Sequence, residues 1–182
     1  LNLARRQYVE ALDALLRADL WTDAAYVAER VLTADELIGY VDQNWPELEP
    51  EPDADPDDPT TAQSLRDLLA RRLTRIGRWR EARAYFAAEH RPKLDAYIGA
   101  IRAGHDRKRP AAARAASFWQ ASRIARHQGI DLLATEGGPD NAAYYGQFPA
   151  PGTAALREQR SQGDRVAASA DELHRAAEHA PV

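Results

Sequence analysis

The stretch Gly77–Glu89, G-R-W-R-E-A-R-A-Y-F-A-A-E, decides the fold. Gly77 permits a tight turn at the end of one helix. Ala82 is small enough to let two helices approach closely. Trp79 and Phe86 then fill the space around that contact. The residues just before, Leu69, Ala70 and Leu73, supply the apolar stripe of the preceding helix at three- and four-residue spacing. The expected unit is a pair of antiparallel amphipathic helices joined at Gly77.

Working outward, an offset of 58 residues relates this unit to an earlier one. Leu15, Arg17, Trp21, Asp23 and Ala24 align with Leu73, Arg75, Trp79, Glu81 and Ala82. The earlier copy has Asp19 where the turn glycine stands and Ala28 where Phe86 stands. A third, weaker pair covers 93–103 and 110–127, with Phe118 and Trp119 as its aromatics.

These positions resemble the tetratricopeptide repeat. In that family a glycine closes the first helix, an aromatic follows two residues later, an alanine three after that and an aromatic four further on. Gly77, Trp79, Ala82 and Phe86 match, and Leu69, Ala70 and Leu73 stand where the family has a large, a small and a bulky residue. The likeness extends over residues 3–127 and is strong in one repeat. It implies an all-α helix-hairpin array, a right-handed curved α-solenoid whose repeats bury their apolar stripes by stacking. It also implies protein–protein interaction, with a groove that holds a peptide or partner helix.

The rest of the chain reads as follows. N-terminal helices over 1–45 run from 2 to 18 and from Trp21 to Leu32. A short helix then follows a Thr33–Glu36 capping box. Residues 46–60 form an acidic, proline-rich linker. The part from Pro46 to Pro59 holds five prolines and seven acids, which neither pack nor propagate a helix. Helical repeats occupy 61–130: Thr60 or Thr61 to Ile76, Trp79 to His90, Pro92 to Ala103, and Pro110 to about His127. A Gly/Pro/aromatic loop covers 131–152. C-terminal helices over 153–182 run at 153–161 and 170–179, the latter capped by Ser169 and Glu172. Trp21, Trp79, Phe86 and Trp119 are expected in the core. Trp45 reads either as an anchor for the linker or as a partner contact.

Composition narrows the function. With no cysteine, disulfides, thiolate metal sites and cysteine nucleophiles are excluded. No run of about 18 apolar residues occurs, so no membrane span or membrane partner is expected, and the lack of an apolar leader points to the cytoplasm. Charge is segregated. From Arg30 to Arg66 ten acids intervene without one base, while Arg66–Ile130 carries sixteen Lys or Arg against five acids.

The first candidate site is therefore basic: Arg71, Arg75, Arg78 and Arg83, joined by Arg107 and Lys108. It reads as a groove for an anionic peptide or protein, or as a solvated face and internal mate of the acidic linker. A net charge of -4 argues against nucleic acid. The second candidate gathers Arg126, His127, Glu136 and Asp140 near a Gly-Gly loop. It is either a polar site with a general acid or base, or cations placed at a helix C-terminus with loop acids beside them. No catalytic motif, phosphate loop or metal-ligand spacing is present. His174 and His179, five apart, do not share a helix face, so neither cofactor nor metal is expected. A binding scaffold is the leading expectation. An enzyme or regulatory domain at 126–148, or one module of a larger repeat assembly, are the rivals.

Overall fold

Helices account for every regular element among the residues that the computed structural model describes, namely 2–46, 60–134, 136 and 170–178, and no strand occurs among them. The protein is all-α. Most of the expected linker between Pro46 and Thr60 lies outside the described residues. So do the loop beyond Glu136, with Asp140, the expected helix at 153–161 and the Ser169 cap. The chain divides into two compact units, Leu1–Thr33 with Glu136–Val182, and Ala34–Thr135.

In the first unit, α1 (Tyr8–Arg17) turns into α2 (Trp21–Tyr26), which continues as a π-helical turn over Val27–Val31. The Leu32 N–H donates to the Val27 carbonyl five residues back, at 2.9 Å. Leu12, Ala24, Ala28 and Leu32 have no exposed surface and form the centre of this unit. The helix expected from residue 2 starts later. A short 3₁₀ turn, Leu3–Arg5, ends where Arg6 takes a left-handed φ of 60°. The last helix, α8 (Ala170–Glu178), packs on the π turn. Its Arg175 lays the guanidinium over the Tyr8 ring at 4.3 Å and donates to the Val31 carbonyl at 3.2 Å. It thus caps a helix end that lacks intrahelical donors.

The second unit contains α3 (Ala34–Asn44), α4 (Thr61–Arg75), α5 (Trp79–Tyr85), α6 (Arg91–His105) and α7 (Ala111–Leu133). The central helix is α4, which packs on α3, α5 and α7, while α6 and α7 form a close hairpin. Leu65, Leu68, Leu69, Ala70 and Leu73 of α4 are fully buried, and Ala82, Phe86 and Leu94 close around them. At about 1.5–3 kcal/mol for each buried large aliphatic or aromatic side chain, this cluster dominates the unit's stability. Thr60 starts α4 with a capping box: its side chain accepts from the Gln63 N–H, and the Gln63 side chain accepts from the Thr60 N–H.

A shared turn relates the two units. Gly77 has φ 79° and Asp19 φ 56°. Arg78 N–H donates to the Leu73 carbonyl at 2.9 Å, and Leu20 N–H to the Leu15 carbonyl at 3.0 Å. The next turn repeats as well, with Ala82 N–H on Arg78 and Ala24 N–H on Leu20, each at 2.9 Å. The 58-residue offset read from side chains is therefore present in the backbone, Asp19 tolerating the left-handed conformation that glycine adopts freely.

Several expectations need correction. The helix opening at Trp79 stops at Tyr85, not His90. Phe86 turns extended (φ −68°, ψ 140°), which buries its ring to 2% exposure. Pro92 then sits in the first turn of α6, where its missing N–H costs nothing. The other departure is Trp119. Expected in the core, it is 69% exposed. Here α7 turns small residues, Ser117 and Ala121, inward. The close α6–α7 contact at Gly104 is taken by the neighbouring Phe118 ring, which a Cβ on Gly104 would meet at 2.6 Å. In contrast, Trp79 is half-buried as a bridge, its Nε1 donating to the Thr74 carbonyl at 3.1 Å under the Arg102 guanidinium. Trp45 meets Tyr40 edge-on at 5.9 Å, and its carbonyl accepts from Arg66 at 2.8 Å; most of the linker it was expected to anchor lies outside the described residues.

Candidate functional site

The arginines of α4 and α5 are held largely by this chain's own groups. Arg72 is buried at 2% exposure. Arg75 donates through Nη1 to the Leu133 carbonyl at 2.9 Å and also to the Ala134 carbonyl, so it caps the C-terminus of α7. Arg78 joins three segments: its Nη1 is 2.5 Å from Asp35 Oδ1 and its Nε 2.9 Å from Glu81 Oε1. The bond to Glu81, with a further one to Asp35, holds the Arg78 guanidinium above its usual range against the effect of burial. The same bond holds the Glu81 carboxyl below the usual carboxylate range. Arg83 grips Asp95 through Nε at 3.0 Å and Nη2 at 3.2 Å. Arg71 is half-buried beside Asp67, whose carboxyl burial pushes up in pKa even against the charges of Arg71 and His90.

Arg107 and Lys108 are different. Both are exposed in the α6–α7 turn, and the side chain of neither meets a carboxylate among the described residues. Of the six cations read from the sequence as one groove, three thus hold helices and carboxylates in place and two face solvent at the end of a hairpin.

The second set is described only in part. Arg126 and His127 are exposed on α7 and form no hydrogen bond or ion pair among the described residues. Glu136 is half-buried and falls in the first unit, and Asp140 lies outside the described residues. No group of three or more His, Asp or Glu side chains able to hold a metal occurs among the described residues. Of the two histidines considered as ligands, His174 is exposed on α8 and His179 is not described.

What sequence reasoning missed is the outer face of α7. Ala112, Ala116, Trp119, Arg123, Arg126 and Ile130 are all exposed. Their spacing of 4, 3, 4, 3 and 4 residues lines them up along one side of the helix, over about 27 Å at the standard rise. Trp119 is 69% and Ile130 82% exposed, and Phe118 flanks the stripe at 36%. Trp119 and Ile130, large apolar side chains, thus face water on the same side of one helix. The spacing was legible in the sequence, but the same residues also fit a buried stripe. Only the inward turn of Ser117 and Ala121 distinguishes the two. No known family model, curated protein or solved structure matches the chain.

Proposed function

We propose that the protein is a protein-interaction scaffold, a tetratricopeptide-like helical array whose outer α7 face receives a partner. One observation carries the reading: Trp119 and Ile130, the most exposed large apolar side chains of their unit, share one face of a 23-residue helix. The repeated left-handed turn at Asp19 and Gly77, with buried Ala24 and Ala82 beyond it, supports the repeat architecture.

The test replaces Trp119 and Ile130 with serine in the full chain and compares partner capture from cells with the wild type. Both side chains project from the surface, so circular dichroism and melting should be unchanged while capture is lost. Identical capture by wild type and variant would remove α7 as the binding face.

A further inference from the structure

The partner's chemistry is written in the charges around the α7 stripe, a deduction that rests on the scaffold reading above. From Arg107 to Ile130 the chain carries six cations, Arg107, Lys108, Arg109, Arg114, Arg123 and Arg126, and not one acid. The next acid, Asp131, lies 3.6 Å from Lys93 and is therefore already engaged. Arg109 and Arg114 each donate to a neutral oxygen, Ser117 Oγ at 3.0 Å and the Gly104 carbonyl at 3.1 Å. Arg123, Arg126, Arg107 and Lys108 pair with no carboxylate among the described residues. The contrast with α4 and α5 is sharp, since Arg78 and Arg83 there each hold carboxylates.

We infer that the α7 face binds an acidic amphipathic helix. The partner sets apolar residues against Trp119, Ile130 and the alanines, and carboxylates against Arg123 and Arg126. The heptad-like spacing of the stripe asks for a helix, because a straight rod is what can follow a seam of alternating three- and four-residue steps. Ala112 and Ala116 leave room for the partner's larger side chains. Trp119 supplies a large apolar anchor that interface centres favour. Bidentate guanidinium–carboxylate contacts at Arg123 and Arg126 set the partner's sign and register.

A second copy of this chain fits less well. An antiparallel pairing through the same stripe would offer Arg123 and Arg126 no carboxylate of the stripe. Nucleic acid would satisfy the cations but leaves Ile130 and the alanines without an apolar contact.

Three synthetic helices test this, sharing one apolar seam and differing in flanking residues, glutamate, glutamine or lysine. Each is titrated into the full chain by calorimetry at low salt. The acidic helix should bind at least about tenfold tighter than the neutral one, and added salt should erase that margin. In Arg123→Glu/Arg126→Glu the order should reverse, with the lysine helix now preferred. Trp119→Ala should weaken the acidic helix while circular dichroism stays unchanged.

Equal binding of acidic and neutral helices overturns the charge assignment and leaves the scaffold reading standing. Failure of all three helices to bind overturns both. A single-stranded oligonucleotide that binds the wild type more tightly than the acidic helix overturns the inference in favour of nucleic acid. Trp119-dependent dimerisation in sedimentation does so in favour of self-association.

Discussion

At the scale of single residues, two glycines in the same helix separate close packing from open space. Gly104 is buried, and a Cβ there would come within 2.8 Å of three atoms of the Phe118 ring, which is also stacked edge-on against His105 at 5.0 Å. Gly99 has nothing within 4 Å of its would-be Cβ. Gly104→Ala should therefore lower stability by about 1–3 kcal/mol through forced displacement of the ring. Gly99→Ala should raise it by about 0.5–1 kcal/mol, the ordinary gain of replacing a mid-helix glycine. Urea denaturation of both variants checks the pair of signs. Tyr85 offers a second residue-scale check. Burial, with its 2.8 Å hydrogen bond to Asp42, pushes its phenol up to about 12. A group raised above its unfolded value of about 10 stabilises fully below that value and loses the contribution as pH climbs through the folded one. Alkaline titration by ultraviolet absorbance should show one late tyrosinate step near 12. That step should vanish in Tyr85→Phe, whose stability should also vary less with pH in that window.

At the scale of elements, helix ends show how far local sequence reaches. The Thr60 start of α4 was readable because a hydroxyl followed by a reach-back glutamine satisfies its own backbone within four residues. The end of α7 was not. Gly129 suggested a stop near His127, yet the helix runs on to Leu133 because Arg75, 58 positions away, receives its last carbonyls. Arg75→Ala should strip those acceptors of a charged donor at a cost of about 1.5–3 kcal/mol. Hydrogen exchange should then speed up in the last turn of α7 and spare the α4 core around Leu69. Uniform exchange across the unit would show that Arg75 matters to the whole fold and not to that end. The opposite failure of local reading occurs at α5. Its helical pattern continues to His90, but burial of Phe86 outweighs a little more than one further turn of helix.

At the scale of the whole molecule, core and surface separate into different aromatics. Trp79 bridges Thr74 and Arg102, so Trp79→Ala should cost several kcal/mol, about 3–5 if the site does not relax. Trp119→Ser and Ile130→Ser touch side chains that are 69% and 82% exposed, and each should stay within about 0.5 kcal/mol of wild type. Thermal melts of the three variants decide this. A large loss at Trp119 would mean that the ring is structural and that α7 presents no docking face.

The sequence by itself determined that this chain is helical, that its helices pair, and that Gly77, Ala82 and Phe86 make the central turn and contact. These are consequences of propensity and of residue volume, which act over a few positions. It also exposed the charge asymmetry between an acidic and a basic segment. Only the tertiary structure decided which cations are consumed by carboxylates and helix ends, and which side of α7 meets water. Periodicity assumes that large apolar residues point inward. On α7 the Phe118 ring takes the close contact with α6 at Gly104, Ser117 and Ala121 are buried, and Trp119, one position on, turns outward. That choice depends on the distance between two helices, which no pattern within either one records.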